Sequence, residues 1–217
     1  MARWAVFDVD GTLLPGISME REFLRYLMRR RLLPPGNILL YIARGFLGVV
    51  AHGWEEGIKV DKAYLGGLPV TDVAGYAEAC FRNRIAPAVG REGRQEVETL
   101  RQAGFKIMII SGAPKFLVDL LDHTFHQDFT VATELDIKNE RYTGTINGLH
   151  PFGARKRTIL ENLQEQLDID FSASMVFANH HSDIDHMKLF GKAVAVNPDT
   201  RLFRTASELG WEIATWS

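Results

Sequence analysis

Cysteine is almost missing from this chain. Cys80 is the single one in 217 residues, which excludes an internal disulfide and a cysteine-built zinc centre. It fits a reducing compartment. An excess of one charge is missing too: 25 Lys and Arg stand against 27 Asp and Glu, a formal net charge of −2, so nothing electrostatic argues for a nucleic-acid partner. Long apolar runs are absent. The most apolar stretch, Ile38 to Val50, is interrupted by Arg44 and is shorter than the roughly 20 residues a bilayer requires, so no transmembrane segment is expected. Met1-Ala2-Arg3 leads straight into an apolar run carrying two aspartates, which a secretory leader would not tolerate, and a cytoplasmic location is expected. There is no low-complexity tract, and a hydrophobic content of 46% with 24% charged residues is ordinary globular composition.

What is present is a rhythm of short apolar runs ending in polar loops, each followed by a helical pattern. Trp4-Ala5-Val6-Phe7 stops at Asp8-Val9-Asp10-Gly11-Thr12, and Phe105 to Ile110 stops at Ser111-Gly112-Ala113. Met175-Val176-Phe177-Ala178 stops at Asn179, and Ala193 to Val196 runs into Asn197-Pro198. Thr130 to Leu135 and Arg141 to Ile146 read as a hairpin turning at Lys138-Asn139-Glu140. Helical patterns cover Met19 to Arg31, Gly90 to Ala103 with Gly104 as its stop, Pro114 to about His123, and Ala154 to Leu167. The expected fold is α/β, a doubly wound, Rossmann-like parallel sheet. Residues 1–14 and 88–217 would form the core domain. Residues 15–87 show helical patterns and no strand, and would form an inserted α-helical cap domain.

Ligands bind at the carboxyl ends of strands in such sheets. There the sequence places Asp8 and Asp10, then Ser111 and Gly112, then Asn179 and Asp183, with Lys156 opening a helix that can reach the same rim. One carboxylate can attack phosphorus and another can shuttle protons. Mg²⁺ and Lys156 would offset the repulsion of a phosphate dianion, while Ser111 and nearby backbone N–H groups would bind phosphoryl oxygens. Gly11 and Gly112 permit close backbone approach.

These stretches carry a resemblance. Asp8-Val9-Asp10-Gly11-Thr12-Leu13-Leu14, Ile109-Ile110-Ser111-Gly112, Gly153-Ala154-Arg155-Lys156 and Asn179 through Asp183 resemble the four motifs of the haloacid dehalogenase-like phosphohydrolases. Glu134-Leu135, Arg141-Tyr142-Thr143-Gly144 and Ala195-Val196-Asn197-Pro198 extend the likeness to the phosphoserine-phosphatase-like branch, whose cap is helical and follows the first motif. The resemblance implies Asp8 as nucleophile, Asp10 as general acid and base, and Ser111, Gly112 and Lys156 as phosphate ligands. It implies Mg²⁺ held by Asp8, the Asp10 carbonyl and the fourth motif, Asn179 and Asp183. The second aspartate favours phosphatase or phosphomutase chemistry, because dehalogenases and transport ATPases of the family lack it.

The fourth motif departs from the usual Asp-x-x-x-Asp. Counting back from Asn197-Pro198 puts Asn179 at the first position and Asp183 at the second. An amide oxygen binds Mg²⁺ without charge, so affinity should fall, and Asp183 or Asp185 is a candidate to compensate. Taking Asp183 as the first carboxylate is the alternative register. The expected function is Mg²⁺-dependent hydrolysis of a small-molecule phosphomonoester, or of a lipid phosphate approached by the apolar 38–50 segment. Phosphatidylglycerophosphate phosphatases of this branch have a stretch similar to Phe23-Leu24-Arg25-Tyr26-Leu27 after the first motif. The alternatives are a weakly catalytic scaffold, suggested by Asn179, and a phosphomutase.

Phosphoserine is disfavoured, because the amine-holding Glu expected nine residues after the nucleophile is replaced by Ile17, with Glu20 and Glu22 out of phase. His180 and His181 are consecutive, so their side chains are expected to diverge rather than share a metal, while still able to border the site. Trp4, Trp54, Trp211 and Trp216 are expected to be packing anchors.

Overall fold

The computed structural model describes residues 1–52 and 62–217. Trp54 and the 53–61 part of the expected cap lie outside the described residues. The described strands are β1 Trp4–Asp8, β2 Lys106–Pro114, β3 Phe129–Lys138, β4 Arg141–Asn147, β5 Met175–Ala178, β6 Lys192–Val196 and β7 Glu212–Ala214. They form one sheet in the order β4-β3-β2-β1-β5-β6-β7, parallel except for β4. The longer helices are α1 Met19–Arg29, α2 Pro35–His52, α3 Val70–Cys80, α4 Arg91–Gln102, α5 Ala154–Leu163 and α6 Thr200–Leu209.

Alternation explains why these strands sit centrally. In β1, Ala5 and Phe7 face one buried layer while Trp4 and Val6 face the other. Ile107 and Ile109 against Met108 and Ile110 repeat the division in β2, as do Met175 and Phe177 against Val176 and Ala178 in β5. A sheet buried on both faces needs helices on both, as a doubly wound sheet provides. Val97 and Leu100 of α4 cover the first face; Leu160 of α5 with Leu202 and Ala206 of α6 cover the second. Phe7 and Phe177 stack at 4.4 Å between centroids, and Trp216 lies on Phe177 at 5.8 Å.

The first-face core runs without a break into the inserted helices, through Phe23 and Leu27 of α1 and Val73 and Ala77 of α3. Phe23 meets Phe116, which meets Tyr142 of β4, each at 5.6 Å. The backbone of 62–70 also lies along β4: Lys62 N–H donates to Gly144 O, Gly67 N–H to Tyr142 O, Tyr142 N–H to Leu68 O, and Val70 N–H to Glu140 O, at 2.7–3.1 Å.

Several local expectations are refined. Helix α4 ends in a Schellman turn, with Gly104 at φ +83°, Gly104 N–H bonded to Arg101 O and Phe105 N–H to Leu100 O. The hairpin turns on Asn139 and Glu140, both at positive φ as a type I′ turn requires. Strand β2 does not stop at Ser111. It continues to Pro114, with the ladder to β3 irregular after Ile110, so Ser111-Gly112-Ala113 bulge toward the rim. Pro114 is therefore the residue before the next helix rather than its first turn, and that helix is broken into Lys115–Val118 and Asp122–Phe125. Pro35 starts α2 immediately behind the break after α1, in the first-turn position proline tolerates.

Candidate functional site

The strand order reverses at β1 and β5, where a parallel sheet opens a crevice at its carboxyl edge. Register levels the tips there. Phe7 is opposite both Ile109 and Phe177, so Asp8, Ser111 and Asn179 emerge side by side. All seven expected positions, Asp8, Asp10, Ser111, Gly112, Lys156, Asn179 and Asp183, line one cleft of about 500 Å³.

Lys156 sits at its floor. The ammonium is 2.6 Å from Asp8 Oδ1 and 2.8 Å from Asp183 Oδ1, and all three side chains are buried. Arg155 on the exposed side and half-buried Arg157 line no part of the cleft, so the basic run contributes its middle residue. One cation faces two buried carboxylates, with Asp10 nearby. Burial pushes Asp8 up to about 7, Asp183 and Asp10 push the same way, and Lys156 opposes them. Burial works on Asp183 too, but Lys156 and then His186 hold it below the ordinary carboxylate range. For Lys156, burial is outweighed by Asp183 and Asp8, and the ammonium is held above its ordinary value.

Asp10 leaves the β1 loop in a tight turn closed by Leu14 N–H to Val9 O and Gly11 N–H to Leu14 O. Its Oδ1 accepts the N–H of Met19 at 2.9 Å, the first residue of α1. The carboxylate thus serves an otherwise unpaired helix donor and is aimed by it. Ser111 Oγ accepts the Ala113 N–H at 3.1 Å, leaving its own proton for a phosphoryl oxygen. The Asn179 amide covers Gly11, whose φ is +81°. Asp185 is exposed, bonds Arg157 through its carbonyl and lines no part of the cleft, so the suggested compensation for Asn179 does not come from it.

Two parts of the site, His150 and the inward side chains of the insert, were not read from the sequence. His150 lines the cleft, and its Nδ1 is 2.6 Å from Thr133 Oγ1. The Thr133 hydroxyl gives its one proton to Gly112 O, so His150 Nδ1 must carry the proton between them. From the insert come Ile17, Arg21, Tyr41, Lys62 and Glu20. Buried Lys62 bonds Glu20 Oε2 at 2.6 Å, and Tyr64 donates to Oε1 at 3.0 Å. Glu20 therefore faces the cleft despite its spacing from Asp8, because α1 begins at Met19 and turns its first residues inward. His180 and His181 do not diverge. Their rings lie 4.2 Å apart, and both approach Asp199. Asp199, 18 residues away in sequence, turns them to one side.

A sequence profile of the haloacid dehalogenase-like hydrolases matches residues 5–188. The chain belongs to that family. Phosphoserine phosphatase SerB1 of Mycobacterium tuberculosis is 27% identical over 214 residues, covering 96% of this chain and 69% of that one. A histidinol-phosphatase of Neisseria meningitidis is 25% identical over 224 residues, with 98% of each covered. A Bordetella pertussis protein of unknown function shares the fold with a TM-score of 0.82 at 20% identity, over 99% of this chain and 98% of that one. Within the family the chain falls in the phosphoserine-phosphatase-like branch, and it is a phosphatase. No described helix is long and apolar enough to cross a membrane.

Proposed function

We propose that the chain hydrolyses a small-molecule phosphomonoester through an aspartyl-phosphate on Asp8. The observation that carries this is the Asp8–Lys156–Asp183 triad at the β1/β5 crevice, with Ser111 beside it. Asp8 attacks phosphorus and the ester P–O bond breaks. Asp10, steadied by Met19 N–H, gives its proton to the leaving alkoxide. It then takes a proton from water, which attacks the acyl phosphate and releases inorganic phosphate and free Asp8. Lys156 and the Ser111 hydroxyl hold the phosphoryl oxygens.

Mg²⁺ fits the donor set. Asp8, Asp183, the Asn179 amide oxygen and the Asp10 carbonyl are all hard oxygens, and the two buried carboxylates share one ammonium, Lys156. When bound, the ion supplies charge neutralisation at the phosphoryl group. Residues 15–87 act in this reading as the cap that sets substrate choice, through Glu20, Arg21, Tyr41 and Lys62. The relatives named for phosphoserine and histidinol phosphate support a small alcohol phosphate, although both Glu20 oxygens are engaged and offer no ready amine site.

Phosphate release from a panel of monoesters in Mg²⁺ tests the proposal, with Asp8→Asn as control. Equal turnover by the two proteins would refute it. A phosphoryl group that persists on Asp8 would point instead to a phosphomutase. A lipid phosphate is the second reading. It rests on Leu39, Leu40, Ile42, Phe46 and Leu47, which project from one side of α2 and are exposed among the described residues. Turnover of a phosphorylated lipid in vesicles, above that of its soluble headgroup, would favour it.

A further inference from the structure

We propose that His180, His181 and Asp199 form a second cation site, separate from the Asp8 centre, for a borderline first-row ion such as Zn²⁺. One ring nitrogen of each histidine and a carboxylate oxygen of Asp199 lie within 4.8 Å of one another. Asp199 Oδ2 is 2.7 Å from His181 Nδ1 and 3.5 Å from His180 Nε2. Ligand atoms about 2.1 Å from a tetrahedral ion are about 3.4 Å apart, so small adjustments bring these three onto one ion.

The carboxylate is already fixed. Asp199 precedes α6, its Oδ1 accepts Leu202 N–H at 2.8 Å, and Oδ2 accepts His181 N–H at 3.0 Å. Oδ2 also accepts from His181 Nδ1 at 2.7 Å, on the side where the two imidazoles lie. His180 is oriented from behind: its Nδ1 lies 2.9 Å from Ser182 Oγ. A hydroxyl both donates and accepts, so Ser182 can keep the His180 proton on Nδ1 while Nε2 binds an ion, at the expense of the 3.3 Å bond from Ser182 N–H. In the ion-free chain His181 Nδ1–H donates to Asp199 Oδ2, so an ion that takes Nδ1 displaces this bond and moves the proton to Nε2.

Two imidazoles and one carboxylate suit Zn²⁺, Co²⁺ or Ni²⁺ and disfavour Mg²⁺, which takes the all-oxygen set at Asp8. His180 is two-fifths exposed and borders the cleft, so an ion has an entry path. It would join the 179–183 loop to the start of α6, which the bond from Asp199 N–H to Asn179 O already ties at 3.0 Å. This site stands whether or not Asp8 is the nucleophile.

Calorimetric titration of Zn²⁺ into the full chain in excess Mg²⁺ tests it. The expected result is one Zn²⁺ per wild-type chain, and loss of that event in the His180→Gln/His181→Gln double variant, with Mg²⁺ binding retained. Tetrahedral Co²⁺ absorption should vanish in His180→Gln alone, a change at a surface ring that leaves the core packing intact. A wild type that takes up no Zn²⁺ in Mg²⁺, or variants that bind Zn²⁺ and Co²⁺ as the wild type does, would overturn the proposal.

Discussion

The amide of Asn179 rests on the α-carbon of Gly11: a β-carbon built there would lie 2.1 Å from Asn179 Nδ2. The contact couples the tip of β5 to the loop carrying Asp10. Gly11→Ala should therefore act twice. It strains a backbone at φ +81°, at about 1–3 kcal/mol, and it drives Asn179 off its seat. Urea unfolding should record the first effect and weaker Mg²⁺ binding the second. A variant with native stability and native Mg²⁺ affinity would contradict the contact.

Asn179→Asp is nearly isosteric and adds a negative charge to the oxygen set. Mg²⁺ affinity should rise by about tenfold, or about 1.4 kcal/mol. Titration of Mg²⁺ into the two proteins decides it; an unchanged or lower affinity would remove Asn179 from the cation shell.

Lys156→Met leaves Asp8 and Asp183 buried without their shared cation. Loss of one partner from a buried pair costs about 3–5 kcal/mol, so a large fall in unfolding free energy is expected, partly restored by Mg²⁺. A stability unaffected by both the substitution and Mg²⁺ would argue that the triad is not charged as drawn.

The pH dependence has a definite sign. In the cation-free protein Asp8 holds its proton up to about 7, against an ordinary 3.8, so the folded chain binds a proton that the unfolded chain has lost between those values. The Asp8 contribution to stability accordingly falls as pH rises through that window. A divalent cation competes for the same carboxylate. Mg²⁺ affinity should climb by up to about tenfold per pH unit toward 7 and then level off. Affinities measured from pH 5 to 8 that stay flat would count against it.

Glu20→Gln removes the charged partner of buried Lys62. A cost of about 1.5–3 kcal/mol is expected, together with an altered KM, because both groups face the cleft. Thermal melts and substrate titration together separate a structural from a recognition role.

The strands and the residues at their tips were legible because alternation and motif spacing are local. Asp8, Ser111, Asn179 and Lys156 are each fixed by a strand or a helix start, and a parallel sheet necessarily collects such ends at one edge. Strand β7 was not legible: Glu212-Ile213-Ala214 is three residues long and shows no alternation. The inward direction of Glu20 was not legible, because it depends on where α1 begins, which Asp10 sets from outside the helix through Met19 N–H. The side-by-side placing of the two histidines was not legible, because Asp199 reaches them from a distant loop. His150 carried no local signal, since it lies in a loop and its partner Thr133 belongs to β3.

The bonds from residues 62–70 to β4 cover what would otherwise be the bare outer strand of the sheet. Excising residues 15–87 would thus strip a ladder partner as well as the side chains by which they line the cleft. The trimmed protein would present unpaired N–H and C=O groups between Glu140 and Gly144 and recruit other chains to satisfy them, so self-association is a cost of such a truncation.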